Sequence, residues 1–168
     1  MLRILLIVCG DIELNPGISS DIRVRVLYSN VRGLHAKLDE LAVAGSDYDV
    51  LVCAETNISH RRHLSELRIP GFGCSQHRLK NFTPGAQGMA LYVREGFCSF
   101  RENKLECSCH ESWVFHICSR INNSYVYAFY RNPGHDGSLY DCLHDSMASV
   151  QSVDKAVLVV VGDACSSL

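Results

Sequence analysis

The chain has 168 residues, 47% of them hydrophobic, with 20% charged residues and a formal net charge of −2. That is the size and apolar content of one ordinary domain with a real core, and it excludes a disordered chain or a domain that coats nucleic acid through bulk positive charge. The nine cysteines are an odd number and several lie inside apolar runs, so they read as buried thiols of a reducing compartment rather than a disulfide scaffold.

The first ten residues carry one basic residue, Arg3, and then an apolar stretch at the short limit for a signal peptide. Secretion through it is the minor alternative to an intracellular, nuclear or cytoplasmic protein. No run approaches the roughly 20 apolar residues of a membrane-spanning helix. Residues 11–20 contain Asn15-Pro16-Gly17 and read as a linker. The sequence therefore divides into a leader and linker over 1–20, expected to pack poorly, and a domain over 21–168. Ile22-Arg23-Val24-Arg25-Val26 alternates as a half-buried strand does, and Leu27-Tyr28 extends it. Leu34, Leu38 and Leu41 mark one face of a helix that ends near Gly45. Val50–Ala54 is a continuous apolar run of strand length, which completes a βαβ start.

The middle is punctuated at Ile69–Gly73 and Thr83–Gly88. Strands are predicted at Met89–Val93, Trp113–Cys118 and Tyr125–Tyr130, with Asn122-Asn123 as a hairpin turn. Leu139, Cys142, Leu143, Met147 and Val150 trace a second amphipathic helix, and Ala156–Val161 is the last strand. The chain ends soon afterwards. Buried strands need neighbours, so the expectation is an α/β domain incomplete at its C-terminus.

Three stretches end apolar runs with a polar group: Ser29-Asn30-Val31-Arg32-Gly33-Leu34, Ala54-Glu55-Thr56 and Gly162-Asp163. Ligand and metal sites assemble at such strand ends. One amide and two carboxylates suit a hard, oxygen-loving cation such as Mg²⁺. With the tight turn Tyr130-Arg131-Asn132-Pro133-Gly134, they point to metal-assisted phosphate-ester chemistry. Plainer readings stand beside this one. Asn30 fits a helix N-cap region, Asp163 a turn, and Tyr130 a core aromatic with its hydroxyl at the edge. Glu55 is harder to place so, because a carboxylate closing an apolar strand is costly to bury unless paired or metal-bound.

Residues 61–80 gather Arg61, Arg62, His63, Arg68, His77, Arg78 and Lys80 against one acid, Glu66. They make either a solvated loop face or a local nucleic-acid patch. Cys107, Cys109, His110, His116 and Cys118 could offer zinc ligands, but their spacing lacks the usual zinc-finger form.

Taken in order, five segments resemble the endonuclease/exonuclease/phosphatase superfamily, and within it the apurinic-type endonuclease domain of non-LTR (LINE-like) retrotransposons. They are the Asn30 strand end with Arg32-Gly33-Leu34, Glu55-Thr56, Gly88–Arg94, Tyr130-Arg131-Asn132-Pro133 and Gly162-Asp163. The resemblance implies a two-sheet α/β sandwich, incomplete at the C-terminus, that hydrolyses phosphodiesters with Mg²⁺ (or Mn²⁺) and nicks a DNA target. It further implies that Glu55 and Asn30 hold the metal, Tyr130 bonds a phosphate oxygen and Asp163 orients or deprotonates the attacking water. Arg131 and Arg94 are candidates for phosphate contacts, and Arg61, Arg62, Arg78 and Lys80 for contacts to the nucleic acid.

Two departures bear on activity. The family's Gly-Asp-x-Asn segment has Cys165 where the Asn belongs, and its distal Ser-Asp-His segment is absent from these 168 residues. The expectation is a truncated, inactive chain. Its alternatives are a non-catalytic remnant that binds nucleic acid or protein, and a phosphatase of the same superfamily. Asp11-Ile12-Glu13-Leu14-Asn15-Pro16-Gly17 also resembles a viral-type ribosome-skipping peptide, decayed because Ile18 stands where the required Pro would be.

Overall fold

The computed structural model describes residues 3–8, 24–59, 66–79, 87–106, 111–118, 123–130, 139–151 and 157–163. In chain order the elements are β1 (Arg3–Val8), β2 (Val26–Asn30), α1 (Leu38–Ala44), β3 (Val50–Ala54), β4 (Phe72–His77), β5 (Met89–Arg94), β6 (Cys98–Arg101), β7 (Glu111–Cys118), β8 (Asn123–Tyr130), α2 (Leu139–Gln151) and β9 (Val157–Asp163). They fall into two units, residues 9–96 and residues 1–8 with 97–168, each built on its own mixed sheet.

The first unit has strand order β2-β3-β5-β4. β2 and β3 run parallel, while β5 is antiparallel to both β3 and β4. β3 is buried at every position, which is why Val50–Ala54 reads as an unbroken apolar run. A 3₁₀ turn over Leu34–Lys37 leads into α1, and Gly45 closes it with its N–H bonded back to Leu41 O. Leu34 and Leu41 from this segment join Leu27, Leu51, Cys53, Ala90 and Tyr92 from alternate strand positions in one core. Each such fully buried leucine stabilises the fold by about 1.5–3 kcal/mol relative to exposure.

The second unit has strand order β1-β9-β8-β7-β6. β1, β9 and β8 are parallel, and β7 and β6 add antiparallel strands at the other side. One face of this sheet, carrying Val114, Tyr125, Tyr127, Phe129, Leu158 and Val160, packs with Val150 and Met147 of α2. Residues of the other face, among them Trp113, Phe115, Val126 and Val159, are also buried.

Several expectations change. The apolar stretch expected as a poorly packed leader is, over Arg3–Val8, a strand in parallel register with β9. A short apolar run pairs as readily with a parallel strand as it serves as a leader, so periodicity cannot tell the two apart. The linker and the skipping-like peptide lie outside the described residues. The first alternating strand starts late, at Val26, because the Arg25 N–H donates to Asp49 Oδ2 at 2.8 Å. β4 lies in the loop-punctuated middle, β6 forms where the sequence predicts no element, β7 starts two residues before the predicted Trp113, at Glu111, and β9 runs on through Asp163. Of the predicted hairpin turn, Asn123 opens β8 and Asn122 lies outside the described residues. No described helix is long and apolar enough to cross a membrane.

Candidate active site

Parallel pairing of β2 with β3 brings Asn30 level with Ala54, so both strands run out at the same end. The two chains then stay together. Val31 N–H donates to Ala54 O at 3.0 Å, Gly33 N–H to Glu55 O at 2.8 Å and Leu34 N–H to Thr56 O at 3.0 Å. A third segment joins them, with Thr56 N–H on Gly88 O at 3.2 Å and Asn57 N–H on Gln87 O at 2.9 Å.

This stitching holds unusual backbone. Arg32, Glu55 and Asn57 have φ of 46°, 53° and 54°, the left-handed region that side chains with a Cβ rarely enter. Glu55 is kept there through its own carbonyl, which accepts both the Gly33 N–H and, at 3.1 Å, the Asn57 Nδ2. Such strain persists only where the surroundings over-determine it, and it gathers at functional sites. Its result here is concrete: the Glu55 carboxylate turns back onto β2, where Asn30 Nδ2 donates to Glu55 Oε1 at 2.9 Å. Glu55 and Asn30 are both half-buried, and Asn30 Oδ1 is shielded from solvent.

The pair suits a divalent cation of the magnesium type. Mg²⁺ takes oxygen ligands, commonly one or two carboxylates completed by water and substrate phosphate, rather than an all-protein cage. Glu55 supplies the carboxylate and Asn30 the amide. Among the described residues there is no group of three or more His, Cys, Asp and Glu side chains placed to hold a metal.

Beside Glu55 the chain walls a cavity of about 290 Å³, with His35, Thr56, Asn57, Ser59 and Glu66 among its lining residues. His35 Nε2 lies 3.6 Å from Glu66 Oε2. Thr56, 2% exposed, has a hydroxyl with no hydrogen-bond partner among the described residues.

In the second unit Tyr130 is level with Asp163 on one side and with Glu111 on the other. Directly opposed residues share a face, so the register sets three polar residues in one row across three strands. Tyr130 is 3% exposed and Glu111 4%. Glu111 is the residue the sequence reading missed. The signal was present, a carboxylate two places before the apolar Trp113–Cys118 run, and burying it without a role is costly.

The structure thus brings Asn30 and Glu55 into contact and sets Tyr130 beside Asp163. Arg61, Arg62, Lys80, Arg131 and Cys165 lie outside the described residues. Arg78 is half-buried, and its N–H donates to Met89 O at 2.8 Å. Arg94 is no phosphate ligand for the Glu55 site. It closes β5 beside the start of β3, at the opposite end from Ala54, where Nη2 bonds Gly45 O and Ser46 O at 3.0 and 2.6 Å and Nε bonds Tyr48 O at 2.8 Å.

No protein-family model matches the chain, and no curated protein matches its sequence. Solved structures do match. The endonuclease domain of TRAS1, a telomere-specific non-LTR retrotransposon, superposes with a TM-score of 0.51 at 15% identity, covering 81% of this chain and 57% of that one. An endonuclease/exonuclease/phosphatase family protein from Leptotrichia buccalis gives 0.50 at 14% identity, covering 82% and 66%. The chain therefore spans less than two thirds of each of these proteins. Its fold is the two-sheet α/β fold that these two structures share.

Proposed function

We propose that this protein is a domain for metal-assisted hydrolysis of phosphodiesters, of the kind that nicks DNA, derived from a retrotransposon endonuclease. The observation that carries the reading is the Asn30 Nδ2–Glu55 Oε1 contact of 2.9 Å, held by a left-handed Glu55 at paired strand ends. On this fold, an oxygen-donor pair so fixed is the natural seat for Mg²⁺, with Mn²⁺ as a substitute. Held by Glu55 and Asn30, such a cation would supply Lewis-acid stabilisation of negative charge on a phosphate.

The remaining roles belong to the chain. Glu55 provides the anionic ligand, and Asn30 both orients it and offers an amide oxygen. For the second unit the resemblance implies that Tyr130 donates its hydroxyl to a non-bridging phosphate oxygen, which develops charge in the transition state. It implies too that Asp163 orients the attacking water and takes its proton. Arg61, Arg62, Arg78, Lys80 and Arg131 neutralise backbone phosphates, so DNA is the partner and its binding weakens with salt. A second reading, a domain that binds nucleic acid without cutting it, is favoured by one residue. Cys165 stands where the family's water-positioning Asn is found, and a thiol is a poor substitute for an amide.

Titration of the chain with Mn²⁺, followed by the loss of free-ion paramagnetic resonance signal, tests the metal site. One ion should bind, Mg²⁺ should compete for it, and Glu55→Ala should abolish binding while leaving the far-ultraviolet spectrum unchanged. Binding that survives Glu55→Ala overturns the proposal.

A further inference from the structure

The cysteines that the nuclease reading leaves unused are not equivalent. Cys53 is fully buried in β3, whereas Cys98 is exposed and Cys118 half-buried, and all three are free thiols. Cys98 and Cys118 face each other directly across the β6–β7 ladder. The hydrogen-bond phase of that ladder is set by Glu102 N–H on Val114 O at 2.8 Å. Alternation along the strands then makes 102/114, 100/116 and 98/118 the closely bonded pairs, with Cα atoms about 5.5 Å apart. That lies within the Cα range disulfides span, and because the Cβ atoms stand wider at such a pair than at a non-hydrogen-bonded one, the bond closes under strain and is readily reduced.

A base adjoins them. His116 is two residues from Cys118 on the same face, and Cys118 Sγ lies 3.5 Å from its Nε2. The imidazole is held in place by stacking on Tyr125, with ring centroids 4.7 Å apart and planes 6° from parallel.

We propose that Cys98 and Cys118 form a reversible disulfide site, closed by a small-molecule disulfide such as oxidised glutathione, with His116 as the base. The exposed Cys98, as thiolate, attacks one sulfur of the small disulfide, forming a mixed disulfide and releasing one small thiolate. His116 takes the proton of Cys118, whose thiolate attacks Cys98 Sγ and expels the second small thiolate. Two protein thiols are oxidised and one small disulfide is reduced to two thiols, which receive the two protons. The product ties β6, an edge strand of its sheet, to β7. An edge strand with an exposed aromatic, here Phe100 at 59%, is the part of a sheet most prone to fray or to pair with another chain.

The test uses the whole 168-residue chain, folded, in glutathione redox buffers, with acid quench, alkylation and peptide mapping by mass spectrometry. The expected result is a Cys98–Cys118 link that forms before any other pairing and reopens in excess reduced glutathione. His116→Gln should slow closure several-fold without preventing it. In the double variant Cys98→Ser with Ser99→Cys the thiol moves to the other face of β6, and the link to Cys118 should be lost. Three results each overturn the proposal: both thiols alkylated at the most oxidising ratio, links scattered among the nine cysteines, or closure unchanged when the thiol is moved to position 99.

Discussion

Glycine does two different jobs in this chain, and substitution separates them. Gly33 sits at φ 124° with nothing within 4 Å of where a Cβ would stand, so only its backbone conformation resists a side chain. Gly162 is the reverse. A Cβ there would run into the carbonyl oxygen and the ring of Phe129, its partner on β8. Gly33→Ala should cost about 1–3 kcal/mol through backbone strain. Gly162→Ala should cost about 1–3 kcal/mol through overpacking. Urea unfolding midpoints measure both. A further substitution of Phe129 by Leu should recover part of the second loss and none of the first. Thiol chemistry divides in the same way at single residues. Burial pushes the Cys53 thiol up to about 12, so it should resist alkylation at pH 8 until the chain unfolds, while Cys98 reacts at once.

At the scale of elements, one arginine ties a helix end to a sheet edge. Arg94 at the end of β5 bonds three carbonyls around the close of α1, and its guanidinium lies 4.7 Å over the Phe72 ring of β4. Arg94→Ala should therefore destabilise the unit by about 2–3 kcal/mol, and Arg94→Lys should restore little, because an ammonium cannot reach the carbonyls as a planar fork does. Thermal melts of the two variants decide it; a lysine variant as stable as the parent would contradict this account. β4 and β5 also share a titrating contact. His77 Nε2 lies 3.2 Å from Tyr92 OH, whose own hydrogen goes to Leu67 O at 3.0 Å. Burial lowers the His77 pKa below its ordinary 6.5. The unfolded chain then binds more protons than the folded one between the two values, so stability rises with pH across that window. It should be complete above about pH 6.5 and fall as the pH drops below it. His77→Gln should flatten the slope of unfolding free energy against pH there.

For the molecule as a whole the decisive measurement is nicking of supercoiled plasmid in Mg²⁺. On the proposed function, the 168-residue chain should give none above background, because a thiol at position 165 is a poor substitute for an amide. A longer polypeptide with Asn at 165 and a following Ser-Asp-His segment should nick. In it, chelation and Glu55→Ala should have the same effect, a loss of several orders of magnitude. Strong, chelator-sensitive cleavage by the 168-residue chain would show that a thiol at position 165 is compatible with catalysis.

How much of this was legible beforehand follows from what periodicity records. A strand's apolar run and a helix's apolar face are local, so β3, β5, β8, β9 and α2 were readable with small boundary errors, and Asn30, Glu55, Tyr130 and Asp163 stood out as polar groups ending such runs. Pairing between distant segments is not local. Only the tertiary structure made Arg3–Val8 a strand, since its pairing with β9 joins segments about 150 residues apart and a short apolar run reads equally as a leader. It also made strands of β4 and β6, whose mixed residues gain their partners from β5 and β7. Register decided the rest. It set Glu111 abreast of Tyr130 and put Arg94 at the far end of its sheet from Glu55. It opposed Cys98 to Cys118, and a slip of one residue would have turned each of them to another face.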